Sequence, residues 1–120
     1  VLYSKERKAF DQKIADFQGI QWFIAEMAMK VEAARLLTYK ASWLKNQDED
    51  YTTAAAMAKL FASENSAYVV SKAVQIHGGY GYVTEYDVER LYRDQRITEI
   101  YEGTSEIQRA VIAKTVLRQY

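Results

Sequence analysis

One run of ten residues, Ile100-Tyr101-Glu102-Gly103-Thr104-Ser105-Glu106-Ile107-Gln108-Arg109, sets a carboxylate on a glycine turn directly before a helix start. Glycine lets the backbone approach a ligand closely, and the following hydroxyls suit a helix entrance, so the Glu102 side chain stays free to react. Taken by itself, Glu beside Gly at such an entrance is ordinarily a solvated turn. Thr104, Ser105 and Glu106 sit where the unpaired N–H groups of a helix N-terminus favour an anionic or polar group, although an ordinary N-cap also explains Ser105. Upstream, Gln75-Ile76-His77-Gly78-Gly79-Tyr80-Gly81 is a small-residue turn that serves equally as a helix stop or as a weak nucleotide-loop signal. His77, the single histidine, reads as a loop or packing residue and takes no role.

The elements that must position these residues are long helices. There is no proline, and three of the five glycines fall between Gly78 and Gly81. Val1 to Phe10 reads as the tail of a helix, with Arg7 and Lys8 near its C-terminal end, and Asp11 to Ala15 as a polar connection. From an N-cap at Asp16, the apolar positions Ile20, Phe23, Met27, Val31, Ala34, Ala41 and Leu44 keep one face inward. Met27, Met29, Trp22, Phe23 and Trp43 could be taken for a cofactor box, but their helical spacing assigns them to core or subunit packing.

After the polar break Asn46 to Asp50, Ala55, Ala58, Ala62, Val69, Ala73 and Ile76 trace a second long helix with a small-residue face, stopping at Gly78-Gly79. Gly78 to Glu85 follows as a loop, Tyr86 to Arg96 as a short helix, and Ile97 to Gly103 as an irregular link. The last helix is capped by Ser105 with Gln108 at capping-box spacing and runs to Tyr120, with Ile107, Val111 and Leu117 inward. The fold class is all-α, an antiparallel up-and-down bundle of the four-helix type.

Composition closes off several chemistries. The chain has 120 residues, 49% hydrophobic and 27% charged, with 16 basic and 16 acidic residues. It has the size of one domain with a real core and no electrostatic footprint for nucleic acid or an anionic membrane. The absence of cysteine excludes disulfides and thiolate catalysis, and one histidine leaves no His cluster, so no metal is expected. No apolar run reaches the roughly 20 residues that span a bilayer.

The order and spacing of Val74-Gln75-Ile76-His77-Gly78-Gly79-Tyr80-Gly81-Tyr82, Arg93-Asp94-Gln95-Arg96-Ile97 and the Glu102 run resemble the C-terminal domain of acyl-CoA dehydrogenases, over essentially the whole chain. The resemblance implies a four-helix bundle that follows an N-terminal helical and a middle β domain. With its start at Val1 inside a helix, the chain reads as a fragment, residues 1–120, lacking both. It implies Glu102 as the base that takes the α-proton of an acyl-CoA thioester while the β-hydride passes to FAD, giving a trans-2-enoyl-CoA. A carboxylate can do this where the enolate-like charge is stabilised and water is excluded. Tyr101 and Gly103 are implied at the substrate, Gly103 letting the backbone sit against the thioester.

By the same resemblance Thr104 and Glu106 touch the FAD of that active site. Gln75, Gly78 and Gly79 reach the adenosine diphosphate part of an FAD bound mainly by a neighbouring subunit. Arg7 pairs with its pyrophosphate, a task suited to a guanidinium fork, and Phe10 and Gln18 match nearby family positions. Without the resemblance these are a helix-end cation, a core aromatic and a surface amide. Arg93, Asp94 and Arg109 read as salt bridges fixing the catalytic loop. Two positions depart from the pattern: Asp11 replaces a usual Gly, which bears on the local turn, and Asp87 replaces a frequent Pro at a helix start.

By the same resemblance, an acid at position 102 implies the short-, medium- or short-branched-chain group, since the isovaleryl and long-chain branches of the family have a non-acidic residue here and place the base on an earlier helix. The implied partners are an electron-transfer flavoprotein and further copies of the chain in a homotetramer. The implied location is the bacterial cytoplasm or the mitochondrial matrix. The rival readings are an acyl-CoA oxidase-like flavoprotein domain, distinguished by peroxide formation, and a helical oligomerisation module inactive by itself.

Overall fold

The computed structural model describes residues 1–119. Its α-helices are α1 (Leu2–Glu6), α2 (Gln18–Asn46), α3 (Thr52–His77), α4 (Val88–Asp94) and α5 (Ser105–Gln119). A two-stranded hairpin, β1 (Lys8–Ala9) paired with β2 (Gln12–Lys13), lies between α1 and α2. The all-α bundle expected from the sequence is present, elongated to 57 × 26 × 24 Å.

α3 is the central element, packed by α2 on one side and by α5 on another. Ala56, Ala58, Ser63 and Ile76 are buried, and nearly every residue from Lys59 to Val70 is at least half covered. Small side chains on α3 let α2 approach closely, and Lys30 Nζ donates to Asn65 Oδ1 at 2.9 Å across that seam while Tyr68 donates to Glu26. α5 runs back along α3: Arg109 pairs with Glu64 at 2.6 Å, and Thr53 donates to Thr115 at 2.9 Å.

Several boundaries differ from the sequence reading. The first helix ends at Glu6, because Arg7 turns extended (ψ 129°) into the hairpin, whose two tip residues Phe10 and Asp11 both have positive φ (51° and 61°). Two such residues make the tight turn whose twist suits paired strands, and Asp tolerates that conformation better than most residues, so the turn forms with Asp in place of Gly. Asp16 is not the cap of α2: it ends a 3₁₀ turn, and α2 begins after Phe17 with no side-chain cap.

α3 ends as expected at the glycines, with Gly78 at φ 60° and ψ −137°, a conformation open essentially to glycine alone. The following loop is tighter than expected, with 3₁₀ turns over Gly78–Tyr82 and Gln95–Glu99. Asp87 precedes α4 with φ −56°, a value proline also adopts, so Asp and Pro are interchangeable there.

Of the expected inward face of α5, Val111 does face the bundle, with Gln108, Ile112 and Thr115 beside it, whereas Ile107 and Leu117 are exposed. Tyr120, the expected helix end, lies outside the described residues. On α2, Trp22, Met29, Leu36 and Trp43 recur every seven residues and are 61%, 64%, 60% and 57% exposed, a lengthwise apolar stripe facing away from α3. Among the described residues no helix is long and apolar enough to cross a membrane, and no cluster of metal-ligating side chains occurs.

Candidate functional site

Glu102 stands on a turn held in a conformation that ordinary residues avoid. Its φ is 54°, and that of Gly103 is 92°. Two successive left-handed residues tip the carbonyls of Glu102 and Gly103 toward the bundle. Gln108 Nε2 donates to the Glu102 oxygen at 3.3 Å and to the Gly103 oxygen at 3.2 Å, and Lys59 Nζ donates to the Gly103 oxygen at 2.7 Å. A Cβ on Gly103 would lie 2.7 Å from Gln108 Nε2, so glycine is required both for φ and for this bond. The Glu102 side chain is exposed and stands at a cleft of about 460 Å³ with Tyr51, Ala55, Lys59 and Val111.

The helix cap is shifted by one residue from the sequence reading. Thr104 Oγ1, not Ser105, accepts from the N–H of Ile107 at 3.4 Å, and Gln108 reaches past the cap to the turn. Ser105 is buried, 5% exposed, with its Oγ unpartnered. Glu106 is held below the ordinary carboxylate value by its own backbone N–H, then by the Thr104 hydroxyl, with Arg109 and Arg96 adding to the effect.

The second group of candidates gathers at the other end of α3. Arg7, Gln75, Gly78 and Gly79 line one cleft of about 530 Å³ together with Tyr3, Ile14, His77 and Tyr80. Arg7 lies over the Tyr80 ring at 5.1 Å and makes no salt bridge among the described residues, so its guanidinium can meet an anion. Nothing lies within 4 Å of a Cβ built on Gly78 or Gly79, which leaves their backbone open to close approach. Phe10 and Gln18 do not line this cleft. Phe10 is 90% exposed at the hairpin tip, edge-on to Phe17, and Gln18 is exposed at the start of α2.

His77, given no role from sequence, forms part of the wall. Its ring stacks on Tyr3 at 4.1 Å, its Nδ1 lies 2.7 Å from the Ala73 carbonyl, and the Tyr3 hydroxyl donates to the His77 carbonyl. The available signal was Tyr80 and Tyr86 close after His77: Tyr86 meets the His77 ring at 5.8 Å and the Tyr80 ring at 5.5 Å. Arg93 and Asp94 do not fix the Glu102 turn: Arg93 pairs with Glu89 and Asp94 with Arg90, all within α4 or at its edge. Arg109 ties α5 to α3 through Glu64.

Known proteins are similar to this chain in sequence and in shape. The family described as "Acyl-CoA dehydrogenase, C-terminal domain" matches residues 1–117. The chain belongs to that family. A subunit of the caffeyl-CoA reductase–Etf complex of Acetobacterium woodii is 53% identical over 119 residues, 99% of this chain and 31% of the relative. The mitochondrial short-chain specific acyl-CoA dehydrogenase of Mus musculus is 53% identical over 120 residues, 100% of this chain and 29% of the relative. The structure of butyryl-CoA dehydrogenase from Megasphaera elsdenii superposes with a TM-score of 0.96 at 47% identity, over 98% of this chain and 30% of that one. This acyl-CoA dehydrogenase domain therefore spans about a third of the length of the relatives it matches.

Two separate groups of residues fit parts of an FAD. An unpaired guanidinium beside open glycines suits a diphosphate, and a buried hydroxyl without a partner beside Thr104 suits a polar ring edge. The two groups are far apart on one chain. Lys59 and Gln75 are sixteen positions apart on α3, a rise of about 24 Å.

Proposed function

We propose that this chain is the C-terminal part of an FAD-dependent acyl-CoA dehydrogenase of the short-, medium- or short-branched-chain group, in which Glu102 removes the α-proton of the acyl-CoA. The observation that carries the reading is the turn itself. A carboxylate at φ 54° is fixed by Lys59 and Gln108 through the backbone, which leaves both carboxylate oxygens free for a proton. Gly103, without a side chain on its outer face, and Tyr101 beside it would border the thioester. Bound FAD would supply the hydride acceptor.

Glu102 is exposed on these residues, so the wall that excludes water from the reaction has to come from other parts of the enzyme. Separation of the two cofactor clusters along α3 supports the same conclusion. Thr104, Ser105 and Glu106 serve the FAD of the active site that contains Glu102, while Arg7, Gln75, Gly78 and Gly79 serve the FAD of a neighbouring subunit.

The similarity to a subunit named for a reductase–Etf complex supports an electron-transferring flavoprotein as the redox partner. It also favours a second reading of direction: the conjugate acid of Glu102 would return a proton to the α-carbon of an enoyl-CoA, with bound reduced FAD supplying the hydride to the β-carbon. The test is anaerobic mixing of the full-length flavoprotein with butyryl-CoA. Bleaching of the flavin band supports dehydrogenation, and a flavin that stays oxidised with every saturated acyl-CoA while an enoyl-CoA oxidises the reduced form supports the reductive direction. Arg7→Ala in the same protein is expected to lower FAD affinity by about 10-fold or more, as loss of a charge-assisted bond implies, read by flavin fluorescence on dilution.

Assembly follows from the stripe on α2. Trp22, Met29, Leu36 and Trp43 are large, apolar and exposed on one line, a surface that favours helix-to-helix contact between subunits and supports a homotetramer. Light scattering should find an oligomer, and Leu36→Glu with Trp43→Glu should release smaller species. A wild-type protein that stays monomeric over a wide concentration range would contradict this assignment.

A further inference from the structure

We infer that Lys59 is a positioning residue for the Glu102 turn, fixing the base relative to the bundle by its hydrogen bond to the Gly103 carbonyl; the inference rests on Glu102 being the base. Left-handed conformation at Glu102 followed by φ 92° at Gly103 persists only where the surroundings over-determine it. Among the described residues, Gln108 and Lys59 are the two side chains that bind the turn's carbonyls. They do different things. Gln108 belongs to α5, the helix that the turn itself begins, so it moves with the turn and fixes only its local shape.

Lys59 comes from α3, in the centre of the bundle, and its Nζ lies 2.7 Å from the Gly103 oxygen. It is half-buried and makes no salt bridge among the described residues, so its charge is directed at a backbone carbonyl and not at an acid. A charge-assisted bond from a rigid neighbour sets the height and rotation of the Glu102 carboxylate over the bound thioester. Misplacement of about 1 Å at a reacting group slows reaction by about 100-fold.

The experiment uses the full-length flavoprotein with Lys59→Met, Lys59→Arg and Glu102→Gln. Lys59→Met is expected to slow flavin reduction at saturating butyryl-CoA by about 10- to 100-fold, the range for a lost hydrogen bond to a charged group. It should also raise the isotope effect with α-deuterated substrate, because proton removal becomes more strongly rate-limiting, and leave FAD content and substrate affinity within about 2-fold. Lys59→Arg, which keeps a charged donor, should recover most of the rate. An unchanged rate in Lys59→Met overturns the inference. So does a loss of rate that follows loss of FAD or of assembly with the isotope effect unaltered, the behaviour of a packing residue. If Lys59→Met does not fold, Lys59→Ala, which also removes the donor, is read by the same criteria. Glu102→Gln separates the two readings: if it retains flavin reduction, Glu102 is not the base, whereas an inactive Glu102→Gln with an unaffected Lys59→Met removes only the role of Lys59.

Discussion

Glu102→Gln in the full-length flavoprotein is expected to leave acyl-CoA binding largely intact while slowing flavin reduction by about 10²- to 10⁴-fold, and by more where no water can substitute. The amide has nearly the shape of the carboxylate. The turn is held through the backbone carbonyls of residues 102 and 103, which the substitution leaves in place, so a fold defect is not expected. What is lost is the capacity to accept the α-proton. Glu106→Gln is the internal control, because Glu106 lies on the first turn of α5 and is held ionised below the ordinary carboxylate range by its own N–H and Thr104. It should disturb FAD binding more than proton abstraction. It should also leave any pH dependence of flavin reduction near neutrality unchanged, because a group with a lowered pKa has already lost its proton there. Anaerobic stopped-flow reduction by butyryl-CoA decides the matter. Near-wild-type reduction by Glu102→Gln would remove Glu102 as the base and, with it, the assignment to the short-, medium- or short-branched-chain group.

The long helices were legible because their signals repeat. Apolar positions on α2 and small residues on α3 recur over many turns, and no proline interrupts them. Single-residue events were less legible. The hairpin at Phe10 and Asp11 has no Asn-Gly or Asp-Gly signature, so its left-handed pair was hidden by a Phe in an uncommon conformation. The cap of α5 was read one residue late because Thr104 and Ser105 are both good caps, and only the direction of the Thr104 hydroxyl distinguishes them. The inward face of α5 was misread in part for a related reason. Its members include the polar Gln108 and Thr115, placed inward by hydrogen bonds, whereas Ile107 and Leu117 look like core and are exposed.

The candidate site could be listed from the sequence as two runs of residues, but not as an arrangement. Glu102, Gly103 and Thr104 follow one another in sequence, and so do Gln75, Gly78 and Gly79, so each cluster survives without knowledge of tertiary structure. Lys59 was invisible. It acts across 44 residues of chain, and nothing in its neighbours marks a lysine on an alanine-rich helix as different from a solvated one. His77 and Tyr3, 74 residues apart, were hidden in the same way.

Gly81→Ala is expected to destabilise the protein by about 3 kcal/mol, the upper end for forcing extra volume into a packed site. A Cβ there would lie 2.6 Å from the Val74 carbonyl oxygen and 3.0 Å from both Val74 Cα and His77 Cβ. Two of these three atoms belong to the backbone of α3, which cannot move aside cheaply, so the Gly78–Tyr82 turn must shift away from the helix. That turn carries the wall of the Arg7 cleft, so FAD affinity should fall together with stability. Gly79→Ala isolates the cofactor's part of the effect. Nothing lies within 4 Å of its Cβ, and its φ lies outside the left-handed range that makes Gly78 unsuitable as a probe. Stability should therefore stay within about 0.5 kcal/mol of wild type, the range for a surface substitution. If the diphosphate of a neighbouring subunit's FAD passes over this glycine, the added methyl group still weakens FAD binding. Urea unfolding and flavin titration of the two variants, made in the full-length protein, give the comparison. A Gly79→Ala protein that binds FAD as tightly as wild type would show that the loop stands clear of the cofactor, and an undamaged Gly81→Ala protein would show that the turn has room to move.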